Sequence, residues 1–346
     1  MNLNFKLVEP GNRADLEPNI SLAPNYSIFH SIEWANVLKK TYNYKPYYLL
    51  ISDSIKTLAF IPLMEVKNIF RRKNGISVPF ADFCEPILLS NEEQSSIFKL
   101  IFDFAKKRGW RTVEFRGTVN KQFDTRPTIE FFHHSIDLRK SEEQIFNSFT
   151  KMTQRNVNKS QKCKLRYEIS NSIDSIKKYY KIHCNTRKYL GVPPQPLKFF
   201  INIFEFILRQ HQGFVILAYD NDLVIAGQIY FIYNNKAIFK YGASLKKYQN
   251  KKPNNFLMWE AIKWLKKNKI KQLSLGRTDI CHEGLRKFKK GWGTEESKLS
   301  YYSYDLEGNN FINSTSKNSF WFSKFFQFFP IPLLRFIGAI AYKYMA

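Results

Sequence analysis

Apolar residues along this chain recur with two periods, and the switches between them mark out the elements. From Phe29 to Leu38 they fall at Ile32, Ala35 and Leu38, one helical face, with Ser31 placed to cap it. Tyr47 to Ile51 and Lys56 to Val66 flank Ser52-Asp53-Ser54, which predicts a strand pair. Ile76 to Phe80 and Pro86 to Leu89 predict short strands around a turn at Ala81 to Glu85. Ser90-Asn91-Glu92-Glu93 reads as the cap of a helix running to about Arg108, which Gly109 ends. Strands are expected at Thr112 to Phe115 and His133 to Leu138, the latter with a partly exposed His133-His134.

The pattern then restarts. Ser141-Glu142-Glu143-Gln144 reads as a capping box that opens one basic helix through about Lys162. A strand at Leu165 to Ile169 is followed by a helix from Ile173 to Tyr189, closed near Gly191, and another from Leu197 to Gln210. Gly213 to Tyr219, Leu223 to Tyr233 and Ala237 to Ser244 predict three strands, with turns at Asp220-Asn221-Asp222 and Asn234-Asn235. A helix at Asn254 to Asn268 and strands at Ile270 to Leu275 and Ser300 to Asp305 complete the series. Antiparallel hairpins beside a strand–helix–strand crossover indicate an α/β (α+β) fold with sheets of mixed direction. The two halves share a rhythm, which predicts duplicated domains over 1–140 and 141–310 and a separate tail over 311–346.

Charge separates the halves. Residues 1–140 hold 20 Lys/Arg against 15 Asp/Glu, a net +5; residues 141–346 hold 34 against 14, a net +20. The second half is expected to attract a polyanion or an anionic surface, unless its lysines are simply a solvated face. Hydrophobic content of 44% excludes a disordered chain. Four cysteines without paired spacing fit a reducing compartment, and Met1 to Lys6 leads into no apolar signal segment. No stretch reaches the roughly 18 apolar residues of a spanning helix, so a cytoplasmic protein is expected.

One segment concentrates the candidate chemistry. The apolar run Leu273 to Leu275 stops at Gly276, and Arg277 and Asp279 follow, then the cation-rich stretch to Gly293. Charged groups delivered at a strand's carboxyl end are where sites in open sheets lie. The second half resembles the FemAB-like branch of the GNAT acyltransferase superfamily. The matching stretches are Phe149 to Lys159, Thr186 to Pro193, Ala226-Gly227-Gln228, Tyr241 to Ser244, Pro253 to Glu260, Leu275-Gly276-Arg277 and Phe288-Lys289-Lys290-Gly291-Trp292-Gly293. The first half is similar through Phe29 to Trp34 and Ser77 to Phe83. The order of these pieces carries the likeness, which is closest to FemAB-related proteins of exopolysaccharide systems.

That resemblance implies two tandem GNAT-like domains with a cleft between them. It also implies an N-acyltransferase that moves an acyl or aminoacyl group onto an amine of a cell-envelope glycan, peptidoglycan precursor or lipid-linked acceptor. The donor would be aminoacyl-tRNA or acyl-CoA as co-substrate, with no tightly bound cofactor, no metal and a monomeric chain. An acyl-CoA-dependent N-acetyltransferase of polysaccharide synthesis and a non-catalytic RNA- or membrane-binding module are the alternatives. The chain lacks the long coiled-coil insertion of some peptidoglycan-bridge enzymes, which weighs against tRNA. The loop Leu245 to Asn254 lacks the glycines by which GNAT proteins wrap pyrophosphate, though its four lysines offer charge instead.

Acyl transfer to an amine needs a neutral amine, a stabilised oxyanion and positioned substrates. The resemblance places Lys289 as the oxyanion-stabilising cation; alternatively Phe288 and Trp292 anchor one helical face and Lys289 points to solvent. It places Asp82 as an acceptor-binding or proton-removing carboxylate, against the plainer reading of a turn aspartate. Arg155, Arg187, Arg277 and Arg286 are the phosphate-gripping candidates, although Arg277 with Asp279 also fits a surface pair. His183-Cys184 and Cys281-His282 show no spacing that requires a metal. Phe320 to Ile340 mixes aromatic residues with Lys324 and Arg335 and is broken by Pro330 and Pro332. It is too short to span a bilayer and fits an amphipathic anchor on the inner membrane face, or else a packed terminal element.

Overall fold

Two hydrophobic cores organise this chain. The computed structural model describes residues 3–8, 18–89, 93–117, 125–313 and 324–345. It divides into two compact units: 1–131 with 299–318 and 342–346, and 132–298 with 319–341. Where the sequence suggests contiguous blocks, the units interleave, because residues 301–305 pair with a strand of the first unit.

In the first unit, β1 (Asn4–Val8), β2 (Lys45–Ser52), β3 (Thr57–Lys67) and β4 (Lys73–Ile76) form an antiparallel meander. The short α1 (Pro18–Ser21) precedes α2 (Ile32–Tyr42), whose cap Ser31 accepts from the Trp34 amide. The two-residue strand β5 (Ile87–Leu88) pairs with β3. Helix α3 (Gln94–Lys107) buries Ile97, Ile101 and Ala105 and leads to β6 (Trp110–Arg116), parallel to β4. The predicted cap of α3 at 90–92 lies outside the described residues, and Glu93 makes no capping bond.

The expected strand 76–80 ends instead at Ile76. Val78 and Phe80 have φ of +60° and +58°, in the left-handed region that costs a β-branched or bulky residue most. Buried Arg116 holds that turn: it ion-pairs with Glu114 at 2.8 Å and donates to the Val78 and Ala81 carbonyls.

The second unit begins along β7 (Ile129–Asp137). The expected single helix 141–162 is two, α4 (Glu142–Ser148) and α5 (Lys151–Lys162). The chain is extended at Phe149 and Thr150, so that the Phe149 ring packs on Trp259 and Trp292 while the Thr150 hydroxyl caps α5. Next come β8 (Arg166–Ser170), α6 (Ile173–Tyr189) and α7 (Leu197–Phe206), the last followed by a 3₁₀ turn. The antiparallel strands β9 (Gly213–Asp220), β10 (Leu223–Tyr233) and β11 (Lys236–Ser244) turn at Asn221 and Asn234, both with φ +52°. Helix α8 (Pro253–Lys267) crosses to β12 (Gln272–Asp279), parallel to β11, and α9 (Glu283–Lys290) follows.

Strand β13 (Glu295–Asp305) leaves this unit, and its residues 301–305 pair with β6. The two-residue β14 (Asn310–Phe311) pairs back on it, and α10 (Ile331–Ala341) returns to the second unit. The second core is built by Leu257, Ile262 and Leu265 of α8 against Ile216, Ile225 and Leu273 of the sheet.

Candidate active site

Helix α9 turns one lysine inward. It carries Lys287, Lys289 and Lys290, of which Lys287 and Lys290 are exposed while Lys289 is only 5% exposed. The Lys289 ammonium donates to the carbonyls of Gly276 (3.1 Å) and Arg277 (2.8 Å) on β12. Consecutive carbonyls of a regular strand point opposite ways, so one cation cannot normally meet both. Gly276 has φ +71°, a conformation only glycine adopts cheaply, and this kink turns the two carbonyls to the same ammonium. Trp292, one turn on, is fully buried against Phe149, whereas Phe288 is exposed. The aromatic pair is therefore not one core face with the lysine outside it.

The same kink lies where two strands part. β11 and β12 pair over three residues only, Lys236 to Ile238 against Gln272 to Ser274. β11 then continues to Ser244 and β12 to Asp279 without a shared ladder. The far end of β11 is fixed by polar contacts. Ser244 exchanges hydrogen bonds with the Thr186 hydroxyl at 3.1 Å, Asn254 donates to the Ser244 hydroxyl at 2.9 Å, and Gln228 donates to the Asn254 carbonyl at 3.1 Å. Helix α8 starts there on Pro253, after Lys252 with φ +55° and no side-chain cap. In the lysine-rich loop, Lys251 is held by Asp220 at 2.6 Å and Lys246 lies over the Tyr189 ring. Lys247 is exposed.

In the first unit, half-buried Asp82 sits in the strained turn. Its backbone carbonyl accepts from the Tyr301 hydroxyl at 2.6 Å, and Tyr301 also lies under the Arg116 guanidinium. His30 ties the end of this turn to α2: its Nε2 lies 2.9 Å from the Glu85 carbonyl, while its Nδ1 accepts from the Ser27 amide.

Residues 147–296 match the model of the acetyltransferase (GNAT) domain. This stretch is similar to GNAT domains. The curated lipid II:glycine glycyltransferase of Staphylococcus haemolyticus is 28% identical over 99 residues, 27% of this chain and 24% of that protein. The chain thus matches about a quarter of that relative's length. The FemX crystal structure superposes with a TM-score of 0.67 at 14% identity, over 88% of this chain and 98% of that one. A tandem GNAT protein of the clavulanic acid pathway gives 0.59 at 7% identity, over 88% and 99%. The fold is that of tandem GNAT halves with mixed sheets, and the chain is similar in sequence to a lipid II:glycine glycyltransferase over part of its length.

Within the GNAT domain the candidate cations have different surroundings. Arg277 is half-buried on β12, its carbonyl on Lys289. Arg286 is engaged by Glu296 through two bonds of 2.8 and 2.6 Å and stacks on Phe132. Arg155 is exposed on α5, two residues past Thr153. Arg187 is half-buried on α6, one turn after His183, and its charge helps to keep that imidazole neutral. Lys289, Arg277 and Arg286 thus share the α9–β12 corner, while Arg155 and Arg187 stand on other helices. Asp82 belongs to the first unit.

The sequence reading passes over His134, which is fully buried rather than partly exposed. Its Nδ1 lies 3.4 Å from the Thr294 hydroxyl, which also donates to the Lys289 carbonyl, and its Nε2 lies 3.8 Å from Glu296. Burial first, and the neighbouring Lys289 charge second, lower its pKa to about 4. Its signal in sequence is weak: His134 shares strand parity with the buried Ile136, but Phe131 and Ser135 of the other parity are buried as well, so alternation alone does not single it out. Among the described residues no group of three or more His, Cys, Asp or Glu is gathered as a metal site. His183 is bonded to Gln195 and Tyr179, and Cys281 and His282 are exposed.

The segment after α9 allows no side chain at Gly293. Its φ is +64°, and a Cβ there would press on the Ser148 hydroxyl and lie 2.7 Å from the Ser148 carbonyl. Gly293→Ala is expected to destabilise the GNAT domain by about 2 kcal/mol or more, seen as a lower midpoint in thermal unfolding. An unchanged midpoint would mean that α4 yields to the methyl group.

Proposed function

We propose that this chain is an N-acyltransferase that moves an acyl or aminoacyl group from an activated donor to an amine of a cell-envelope precursor. The single observation that carries the reading is the buried ammonium of Lys289, held by two carbonyls where β11 and β12 part. Strands that diverge leave backbone donors and acceptors along their facing edges, and an extended donor arm pairs with such edges as an added strand would. A fixed cation beside that arm lowers the cost of negative charge on the attacked carbonyl. The bond broken is the donor's ester or thioester. The bond formed is the amide, and the amine's proton leaves with the departing alcohol or thiol.

Asp82 is proposed to orient the acceptor amine or take its proton. Arg155, Arg187 and Arg277 are the proposed phosphate contacts, whereas Arg286, paired with Glu296, serves to hold α9 on β13. The relative's name, lipid II:glycine glycyltransferase, supports a lipid-linked amine as acceptor and an aminoacyl donor. The lysine-bearing turn before α8 supports acyl-CoA, because a helix start with nearby cations favours a diphosphate.

The test offers the purified chain labelled acetyl-CoA and labelled glycyl-tRNA in parallel, each with amino sugar and lipid-linked muropeptide acceptors. Transfer from one donor with saturation kinetics is expected. Absence of amide product in every pairing would overturn the proposal. A distinct check is Asp82→Asn, which is expected to lower kcat by about 10²-fold if Asp82 takes the proton and to raise KM if it only binds the acceptor.

A further inference from the structure

Helix α10 is apolar on the side that faces away from its own unit. It buries Leu334 and Gly338 against the body, where a Cβ at Gly338 would run into the Pro194 carbonyl. Leu333, Phe336 and Ile340, spaced to share one helical face, point outward, with Phe336 at 65% and Ile340 at 54% exposed. Phe328, 82% exposed, extends the patch, and Gln327 next to it donates to the Tyr189 carbonyl at 2.8 Å. This contact brings in Tyr189 and Leu190 at the end of α6, both about half exposed. Burying side chains of this size is normally worth ~1.5–3 kcal/mol apiece, so a cluster of them in water marks an interaction surface.

The stretches that carry the patch bear charge of one sign. From Lys324 to Ala341 the sequence has no acidic residue, but it has Lys324 and Arg335. Residues 185–200, which supply Tyr189 and Leu190, contain Arg187, Lys188 and Lys198 and no acid. Beside α10 lies a groove of about 310 Å³ lined by Tyr180, Pro196, Leu197, Pro332, Arg335 and Phe336. The Arg335 guanidinium stands 5.4 Å from the centre of the Tyr180 ring, at the groove wall.

We propose that the outer face of α10, with Phe328, Tyr189 and Leu190, docks on an anionic lipid bilayer and that Arg335 meets lipid phosphate there. Aromatic and aliphatic side chains among cations suit the headgroup boundary, where rings enter the acyl region and cations stay at the phosphates. A second copy of this chain is a poor occupant, because a two-fold contact would bring two copies of this cation-bearing face together, with no acid in residues 185–200 or 324–341 to offset them. The helix lies on the surface rather than through it: among the described residues no helix is long and apolar enough to cross a membrane. The inference is independent of the acyl-transfer reading, since docking is measured without any donor or acceptor.

The experiment is vesicle co-sedimentation of the full chain. Vesicles are of phosphatidylcholine alone or with 30% phosphatidylglycerol, at about 0.1 M salt. Wild type is expected to pellet with the anionic vesicles and to leave them at high salt. Phe336→Ser combined with Ile340→Ser is expected to bind at least about tenfold more weakly, with unchanged thermal unfolding because both side chains are exposed. Arg335→Gln is expected to weaken binding about fivefold. Failure of wild type to pellet would overturn the proposal, as would equal binding by the double variant. A concentration-dependent dimer in sedimentation velocity that the double variant abolishes would assign the face to a second copy and overturn it as well.

Discussion

Lys289→Met is expected to lower kcat for acyl transfer by about 10²–10³-fold with little change in KM. The size follows from removing one preorganised positive group from a site where charge develops in the transition state. Methionine keeps the length and the apolar stem, so α9 retains its packing. It does leave the Gly276 and Arg277 carbonyls without the ammonium they accept from, at a cost of about 1–3 kcal/mol each when buried. A fall in stability is therefore expected alongside the fall in rate, and the two need separate measurement.

Lys289→Arg separates them. It restores charge but presents a planar fork in place of a compact ammonium, so its geometry on two carbonyls is poor. If charge at this point drives the reaction, the arginine variant recovers a large part of kcat while its unfolding midpoint stays low. If Lys289 only braces the β12 kink, the two variants lose activity in proportion to stability. Full activity of the methionine variant would remove Lys289 from the mechanism.

The protein is expected to lose stability steeply between pH 6.5 and about 4. His30, His134 and His183 are buried, and burial is the largest cause lowering their pKa values to about 4, 4 and 3. Each ring is neutral by construction. His30 accepts the Ser27 amide proton on Nδ1 and faces the Glu85 carbonyl with Nε2. His183 faces Tyr179 with Nδ1 and Gln195 with Nε2. His134 stands beside the Lys289 and Arg286 cations and His133, against Glu296 alone on the acidic side.

The sign follows from proton binding. Below pH 6.5 the unfolded chain takes up protons that the folded chain refuses, so the stability present above pH 6.5 is lost as pH falls toward the folded values. Each histidine contributes a slope of about 1.4 kcal/mol per pH unit inside its window. Urea unfolding from pH 8 to 4.5 measures it. In His183→Gln the slope is expected to be smaller by about one histidine's share. A midpoint flat from pH 7 to 5 would contradict the buried neutral state.

Much of the fold was legible in the chain, because hydrophobic periodicity and turn chemistry are local. Helix α6 has the bounds that its pattern predicts, the Asn221 and Asn234 turns fall where asparagine invites a left-handed residue, and Ser31 caps α2. Departures came where distant partners decided. The basic helix breaks at Phe149 because Trp259 and Trp292 take that ring, and the strand after Ile76 breaks because Arg116 gathers the carbonyls of Val78 and Ala81. Neither partner lies within the segment it reshapes.

By itself the amino-acid order determined the elements, the mixed α/β character, the surplus of positive charge in the second half and the stretch around Lys289 as a place of interest. Only the tertiary structure decided that this lysine turns inward onto two carbonyls, that Arg286 is taken by Glu296, that His134 is buried and neutral, and that the apolar face of α10 looks out to solvent. The reason is that periodicity reports which face of an element is apolar. Which charged group finds a partner depends on residues far along the chain, and burial then fixes whether it carries its charge.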